Sequence, residues 1–517
     1  MRPRLYTLTS SLHGEMAPDP RQEPFIREIE AALGVEFDCR GDDFSDYGPA
    51  PSSFAGLTGE PPAPALIYVR TGGTEGLFLK LLGEKLKAGR QRFRVKPGMT
   101  QGKDSMKGLA ADPPMVRLLA SGQSNSLAAS MEILSWLQRE GFAGEILHGS
   151  PAAIAAQILR QSQDDNNVIS TKRSAWRDPS TSLGMTEREA QDDRGEDLPC
   201  HLDQAQRAER SLDFALENRM IEPLTPGTFG RPLKGKRFGV IGRPSDWLIS
   251  SGVDYAAARH ILGAELIDIP IEELVDEVRS LGQASPVTSL KPLNTEILRQ
   301  AQDDKGEKAQ DDRRLKPLNT PRYGRPISEK DWNGAQDIYK ALQRLVHRYR
   351  LDGLTLRCFD LLTTLHNTGC LALAILNSEG ITATCEGDIP AMLSMAVARK
   401  LTDSASFQVN LSRIEGDRLL FAHCTVPLSI VRNYCYDTHF ESGIGVAIHG
   451  ELPEGPVTLF KIAPDLGHLF RQPAKLVANP YGDNLCRTQV LVEAPGAAEY
   501  FLKKPLGNHH ILVPGTL

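Results

Sequence analysis

The sequence lacks the features that mark membrane-spanning, secreted and nucleic-acid-binding proteins. No apolar run reaches about 18 residues, so we expect no membrane-spanning helix. The opening residues, Met-Arg-Pro-Arg-Leu-Tyr-Thr-Leu, have no apolar core of the kind that a signal peptide needs. A net charge of -6 on 517 residues leaves no basic excess for a nucleic-acid surface. We therefore expect a soluble, cytoplasmic protein with neither a membrane nor a nucleic acid as its partner.

Paired cysteines and nucleotide-binding motifs are also missing. The eight cysteines include no CxxC pair, which argues against a zinc site or a disulfide framework. Neither a Walker sequence nor a GxGxxG sequence marks a phosphate loop. A Gly-rich turn, Thr71-Gly-Gly-Thr-Glu-Gly76, does follow the apolar run Ala65–Arg70. Such a turn can be a plain helix start, or it can hold an anion or a sugar oxygen with its free N–H groups.

Strand-like and helix-like segments alternate through the first 401 residues. Strands are predicted at Leu5–Thr9, Ala65–Arg70, Val116–Ala120, Arg237–Gly242, Glu265–Ile269 and Gly353–Arg357. Helices are predicted at Pro24–Leu33, Leu127–Arg139, 204–220, Tyr255–Leu262, Glu329–Arg350 and Gly369–Leu376. The alternation predicts the α/β class, with two doubly wound domains whose ligand groups lie beyond the carboxyl ends of parallel strands.

From residue 402 the pattern changes to short β-like runs separated by Gly, Pro and Asn turns. The runs are Ser406–Leu411, Arg418–Cys424, Gly445–His449, Val457–Ala463, Leu469–Val477 and Gln489–Val492. They predict a C-terminal antiparallel β domain, barrel-like in form. The expected layout is an N-terminal α/β domain over 1–157, a second α/β domain over 199–401 and the β domain over 402–517. A small-molecule site is expected between the last two.

Three polar segments interrupt this layout, at about 84–106, 158–198 and 296–317. Ile158-Leu-Arg-Gln-Ser-Gln-Asp-Asp165 recurs with one change as Ile297-Leu-Arg-Gln-Ala-Gln-Asp-Asp304, and Leu-Lys-Pro-Leu-Asn-Thr occurs at both 290–295 and 315–320. This duplication resembles a repetitive DNA element that is read in frame. Because the segments are polar and poor in large apolar residues, we expect exposed, poorly ordered loops outside the functional part.

A carboxylate, a carboxamide and imidazoles occur at strand-like runs in the last third of the chain. Glu386 follows one run, Asn410 lies within the next and His423 ends the third. His509 and His510 open the last run, where strand alternation lets only one of them point into a cleft, and we favour His510. Such groups suit a divalent metal with open positions for substrate. The plainer interpretations are a helix cap for Glu386 and a core residue for His423.

Three motifs in this order, Cys385-Glu-Gly-Asp-Ile-Pro390, Phe421-Ala-His-Cys-Thr425 and Asn508-His-His510, resemble the L-fucose isomerase and L-arabinose isomerase superfamily. The resemblance also takes in Tyr68–Gly76 and Val240–Trp247, and it spans the chain apart from the three polar segments. It implies two α/β domains, a C-terminal β domain and a homo-oligomer. It also implies an enzyme dependent on Mn²⁺ or another divalent metal that interconverts a sugar aldose and ketose through an ene-diol.

The resemblance assigns roles to particular residues. Glu386 matches the metal-binding glutamate that also acts as acid and base, and His423 and His510 match imidazole ligands. Asn410 falls where the family has its second catalytic carboxylate. An amide can bind a metal through its oxygen but cannot act as a base at neutral pH. Asp388 can supply the second carboxylate if its segment is extended.

Further residues are expected to contact sugar hydroxyls, with local pairing at the surface as their plainer interpretation: Arg70, Arg243, Asp246, Asp388 and His439, the last with Glu441 on the same strand face. The departure at Asn410 leaves a second hypothesis open, a sugar-binding relative that has lost turnover. A third is a disrupted chain whose polar segments prevent assembly.

Overall fold

The computed structural model describes residues 4–9, 23–37, 43–45, 65–71, 74–79, 115–123, 125–160, 220–283 and 326–517. The polar segments predicted at 84–106 and 296–317 lie outside the described residues. So do residues 161–198 of the segment predicted at 158–198. The helix predicted over 204–220 also lies outside them, except for its last residue.

The first sheet has five parallel strands in the order β2-β1-β3-β4-β5, which is one of the two common orders of doubly wound sheets. The strands are β1 (Arg4–Thr9), β2 (Asp43–Ser45), β3 (Ala65–Val69), β4 (Val116–Ala120) and β5 (Gly144–His148). The helices between and after them are α1 (Pro24–Leu33), α2 (Glu75–Phe78), α3 (Ser126–Arg139) and α4 (151–160). Nearly all of α3 is buried, because it contacts both β4 and the C-terminal sheet.

A second parallel sheet follows, with four strands in the order β10-β9-β7-β8. Its strands are β7 (Arg237–Ile241), β8 (Glu265–Ile269), β9 (Gly353–Leu356) and β10 (Thr382–Cys385), preceded in the chain by β6 (Ile221–Pro223). Its helices are α5 (Tyr255–Ile261), α6 (Ile271–Gln283), α7 (Glu329–Tyr349), α8 (Asp360–Thr364), α9 (Cys370–Ser378) and α10 (Ile389–Thr402). The long helix α7 starts where the Ser328 hydroxyl accepts the N–H of Asp331, at 3.0 Å.

The C-terminal sheet is antiparallel, in the order β15-β18-β11-β12-β17-β16-β6. Its strands after β6 are β11 (Phe407–Glu415), β12 (Arg418–His423), β15 (Gly455–Ile462), β16 (His468–Ala478), β17 (Thr488–Glu493) and β18 (His510–Pro514). Strand β15, which lies at one end of this order, also pairs with β16 near the other end. A separate hairpin joins β13 (Asn433–Asp437) to β14 (Ala447–Glu451), and α11 (Ala497–Lys503) precedes β18.

The predicted mixed α/β architecture, with parallel sheets followed by an antiparallel one, is confirmed. Strands β4 and β8 and helix α1 have the predicted bounds, and most other predicted elements differ by one to three residues. The sequence analysis missed the strands β2, β5, β6 and β13 and the helices α4, α6, α8 and α11. Strand β6 lies within the range predicted for the second α/β domain, but it pairs with β16 of the C-terminal sheet.

The carboxyl end of the second sheet faces the C-terminal sheet. Gln408 of β11 accepts a hydrogen bond from the backbone N–H of Cys385, the last residue of β10, at 2.8 Å. The residues that follow β10 therefore lie where the two sheets meet. Within the described part of the chain, the structure shows no helix with the length and apolarity that crossing a bilayer requires.

Candidate functional site

Glu386 occupies a tight turn directly after β10. Its φ of 64° and the φ of 70° at Gly387 are both left-handed, which is uncommon for a residue with a side chain. A Cβ on Gly387 would lie 2.5 Å from the carbonyl oxygen of Arg243, so only glycine fits there. The carbonyl oxygen of Glu386 accepts the N–H of Ser245 at 2.9 Å. The turn thus fixes the backbone of Glu386 against the loop that follows β7.

The carboxylate of Glu386 contacts an indole and two imidazoles. Trp247 donates from Nε1 to Glu386 Oε2 at 2.6 Å. The other oxygen, Oε1, lies 3.3 Å from Nε2 of His509 and 4.0 Å from Nε2 of His423. One ligand atom each from Glu386, His423 and His509 fall within 4.8 Å of one another, and all three residues are buried. We call these three residues the ligand cluster.

Asp388 orients His509 within this cluster. Its Oδ2 accepts a hydrogen bond from Nδ1 of His509 at 2.8 Å, and its Oδ1 caps helix α10 by accepting the N–H of Ala391 at 2.7 Å. This leaves Nε2 of His509 directed at Glu386. Metal-binding histidines commonly have a carboxylate on their second nitrogen, which fixes the ring and the tautomer.

His423 is the last residue of β12. Its Nδ1 lies 2.9 Å from the Thr425 hydroxyl, and its ring meets the ring of His509 edge-on with 5.4 Å between the centroids. The position of His423 at the end of the strand therefore directs its Nε2 at the carboxylate of Glu386. The structure places His423 in the cluster, and its role as a metal ligand stays a prediction.

The side chains of the ligand cluster shift one another's pKa values. Burial alone would raise the pKa of Glu386, but the nearby positive charge of His509 and the hydrogen bond from Trp247 lower it overall. Burial alone would lower the pKa of His509, but Glu386 and Asp388 raise it to about 10. Burial, together with the charge of His509, lowers the pKa of His423 to about 3. Without a metal, Glu386 is therefore an anion, His423 is neutral and His509 is protonated at pH 7. A metal at Nε2 of His509 would take the place of that proton.

The structure brings His509, and not His510, to Glu386 and His423. His510 is the first residue of β18, and its Nε2 lies 2.8 Å from the Tyr500 hydroxyl. Its Nδ1 lies 3.0 Å from the carbonyl oxygen of Asn508. The expectation for His510 is thus corrected. The two adjacent rings have different surroundings, His509 at Glu386 and His510 at Tyr500, so only one of them reaches the cluster.

Asn410 lies on the face of β11 that meets the second sheet. It is two residues from Gln408, whose side chain bonds the backbone of Cys385, so strand alternation places both on one face. Asn410 is 4% exposed, and among the described residues its Oδ1 has no hydrogen-bond partner. A buried carbonyl oxygen without a partner is costly, which fits an oxygen that receives a ligand. Asp388, by contrast, lies behind His509, where both of its oxygens are already bonded.

The residues expected to contact sugar hydroxyls lie around the cluster with partners of their own. Arg70 pairs with Glu23 at 3.5 Å. Arg243 and Asp246 are mostly exposed and pair with each other at 3.3 Å, and Asp246 also receives Arg357 at 2.9 Å. These contacts match the plainer interpretation of local pairing.

His439 lies near the cluster and is buried. Its Nδ1 lies 3.0 Å from the Ser442 hydroxyl, and its ring packs edge-on against Phe359 with 5.7 Å between centroids. Phe359 in turn packs edge-on against Trp247 at 4.8 Å. His439 is therefore connected through aromatic contacts to the indole that bonds Glu386.

Sequence reasoning missed several groups at this site. Trp247 and Glu75 lie in two of the quoted motifs, but neither was singled out. Glu75 is 1% exposed, and burial and the nearby charges of Glu132, Glu386 and Glu441 raise its pKa well above the usual range. Within the described residues, its Oε2 has no hydrogen-bond partner. The position of Trp247 beside an acidic turn residue could not be read from its motif.

The donor set of the ligand cluster fits a divalent first-row metal. One carboxylate and two imidazoles are ligands that Mn²⁺, Fe²⁺ and Zn²⁺ accept. Nε2 of His509 has no hydrogen bond of good geometry among the described residues, although it is fully buried. The amide oxygen of Asn410, on the face of β11 that meets the second sheet, is a further buried polar atom without a partner among the described residues.

Comparison with known proteins gives a partial match. No protein-family model matches the chain. A sulfoquinovose isomerase from Clostridium sp. (strain MSTE9) is 30% identical over 132 residues, which are 25% of this chain and 28% of that protein. Sulfoquinovose isomerases from Priestia aryabhattai and from Priestia megaterium (strain ATCC 12872 / QMB1551) are each 26% identical over 130 residues, 24% of this chain and 29% of theirs. The chain thus matches under a third of the length of these relatives.

Sulfoquinovose isomerase belongs to the fucose/arabinose isomerase-like superfamily. The similarity therefore agrees with the resemblance seen in the motifs.

Proposed function

We propose that the protein is a metal-dependent aldose–ketose isomerase of the fucose/arabinose type, which acts through an ene-diol. The observation that carries this proposal is the ligand cluster, where Glu386, His423 and His509 present ligand atoms within 4.8 Å of one another in a buried site. The similarity to sulfoquinovose isomerases supports the reaction class.

The ligand cluster would hold the metal, with Asn410 as a further oxygen donor or a contact to substrate. We expect Mn²⁺, or another divalent ion that accepts mixed nitrogen and oxygen ligands. Such an ion, when bound, polarises a sugar carbonyl and stabilises the negative charge of the ene-diolate.

The protein groups around the cluster have separate tasks. Glu386 takes the proton from C2 of the sugar and returns it to C1, with its carboxylate held in place by Trp247. Asp388 fixes the ring of His509. Burial of all three cluster residues excludes bulk water, which strengthens the electrostatic interactions among them.

The organisation of the chain completes the proposal. We propose two α/β domains followed by a barrel domain, because six C-terminal strands pair in a closed series. The resemblance to the superfamily supports a homo-oligomer in the cytoplasm.

The direct test is turnover in D₂O with added Mn²⁺, followed by ¹H NMR. Sulfoquinovose, L-fucose, L-arabinose and a panel of other aldoses are supplied in turn. We expect at least one to give its ketose, and Glu386→Gln to slow the reaction by about 10²-fold or more. Glu28→Gln, an exposed change on α1, is the matched control and keeps the wild-type rate. No ketose from any aldose would contradict the proposal.

A second candidate is a sugar-binding relative without turnover, which the amide at Asn410 favours. This protein would bind Mn²⁺ and a sugar but show no ketose and no exchange of the C2 hydrogen with solvent. The same NMR experiment distinguishes the two, because exchange is read from the signal of the C2 hydrogen.

A further inference from the structure

The proposed reaction moves two protons, and the ligand cluster accounts for one of them. Converting an aldose to a ketose transfers the hydrogen on C2 to C1 and the hydroxyl proton on O2 to O1. Asn410 cannot carry a proton because its side chain is an amide. Asp388 is committed to His509 and to the cap of α10. A second proton carrier must therefore come from another part of the site.

We propose that Glu441 is the second acid/base carboxylate, and that it carries the hydroxyl proton from O2 to O1 of the sugar. As the C2–O2 bond becomes a carbonyl, the carboxylate takes the proton from O2. It then gives this proton to O1, which changes from a carbonyl oxygen to a hydroxyl. The carboxylate is regenerated, and no oxidant or reductant is consumed. This inference rests on the isomerase function proposed above.

The loop that carries Glu441 is connected to Glu386 through two ring contacts and one hydrogen bond. Glu441 lies between β13 and β14, two residues after His439. The ring of His439 packs against Phe359, Phe359 packs against Trp247, and Trp247 bonds the carboxylate of Glu386. The charges of Glu386 and Glu441 also act on each other. The loop therefore brings a carboxylate to the same cleft as the ligand cluster.

A residue from the N-terminal part of the chain holds this carboxylate. Asn125, just before α3, donates from Nδ2 to Oε1 of Glu441 at 2.9 Å, across 316 residues of sequence. Asn125 is buried and has a left-handed φ of 58°. Among the described residues its Oδ1 has no hydrogen-bond partner. The amide thus orients Glu441 and leaves an oxygen that can accept a sugar hydroxyl.

The surroundings of Glu441 suit proton transfer near neutral pH. Burial raises the pKa of Glu441 to about 7, opposed by His439 and assisted by Glu386. A carboxyl group with a pKa near the working pH both accepts and returns a proton readily. The groups that face it from the packed elements are Glu75, Asn125, Glu386, Cys424, His439 and Cys486.

A structural role, as a link between Asn125 and the loop, is the competing explanation. Glu441→Gln separates the two roles, because glutamine keeps an oxygen that accepts from Asn125 but cannot carry a proton. Glu454→Gln, an exposed change in the same part of the chain, is the matched control.

The experiment compares wild type, Glu441→Gln and Glu454→Gln by turnover from pH 5.5 to 9, by Mn²⁺ titration without sugar, and by thermal midpoint. We expect Glu441→Gln to lower kcat by about 10²–10⁴-fold and to remove the limb of the pH–rate profile near pH 7. Its Mn²⁺ affinity and thermal midpoint should match the wild type, and Glu454→Gln should be unchanged throughout.

Two results would overturn the role of Glu441 while the isomerase function stands. One is wild-type turnover in Glu441→Gln. The other is a parallel loss of Mn²⁺ affinity and thermal midpoint, which marks a structural residue. Wild-type protein that turns over no aldose would overturn both proposals.

Discussion

Nδ1 of His509 donates to Oδ2 of Asp388 at 2.8 Å, so the opposite ring nitrogen faces the carboxylate of Glu386. Asp388 is itself fixed as the N-cap of α10, with its Oδ1 on the N–H of Ala391. The start of a helix therefore sets the orientation of an imidazole in the ligand cluster. This arrangement explains why the acid two residues after Glu386 is directed at His509 and the start of α10.

The Asp388–His509 contact predicts a loss of metal affinity without a loss of fold. Asp388→Asn keeps an oxygen for the helix cap but replaces a charged acceptor by a neutral amide. We expect Mn²⁺ affinity to fall by about 10- to 100-fold, since partners of this kind orient a ligand and raise its basicity. Isothermal titration calorimetry measures the Mn²⁺ affinity of the wild type and the variant. An unchanged affinity would show that Asp388 is only a helix cap.

The adjacent histidines predict opposite results for a matched pair of variants. His509→Gln should abolish Mn²⁺ binding, because it removes a donor of the ligand cluster. His510→Gln should bind Mn²⁺ as the wild type does, but lose about 1–3 kcal/mol of stability with its contacts to Tyr500 and Asn508. Metal titration and the thermal midpoint are measured for both. Metal loss in His510→Gln alone would reverse the assignment.

The tight turn at Glu386 and Gly387 predicts that adding one methyl group at Gly387 lowers the free energy of unfolding strongly. Gly387→Ala places a Cβ 2.5 Å from the Arg243 carbonyl oxygen at a left-handed φ. Gly416→Ala, in the β11–β12 turn, has a similar φ of 61° but open space around its Cβ. We expect about 1–2 kcal/mol for the control and clearly more for Gly387→Ala. Equal shifts in thermal midpoint would show that the close contact costs nothing.

His148 predicts how stability depends on pH. Its Nε2 accepts the N–H of Ile414 at 3.1 Å and its Nδ1 donates to the carbonyl oxygen of Ala120 at 2.9 Å, so the folded ring is neutral. Burial lowers its pKa below the usual 6.5. The unfolded chain then binds more protons below pH 6.5, so this contribution is complete above that pH and is lost as the pH falls.

The measurement is the thermal midpoint of wild type and His148→Gln between pH 5 and 8. The wild type should lose at most about 1.4 kcal/mol per pH unit from this group, and the variant should show a shallower fall. An identical slope in His148→Gln would contradict the assignment.

Local sequence patterns predicted most of the fold. Helix α1 and strand β4 have the expected bounds because their apolar spacing is regular and turn residues follow them. Strand β6 was missed, because its three residues form a strand by pairing with β16, which is distant in sequence. Such pairing is set by tertiary packing and leaves no periodic signal in a short segment.

The candidate site was predicted in part. Glu386 and His423 could be found because each ends an apolar strand-like run. The choice between His509 and His510 required knowledge of where β18 begins, and strand ends are the least regular part of the pattern. Glu441 and Asn125 meet across 316 residues, a contact that no local spacing encodes.

The most direct test of the central claim is Mn²⁺ binding by the metal-free protein, measured by titration for wild type and Glu386→Gln side by side. We predict about one ion per chain for the wild type and none for the variant, because the carboxylate of Glu386 is the anionic member of the ligand cluster. A wild type that binds no divalent ion, or a variant that binds it equally well, would contradict the account.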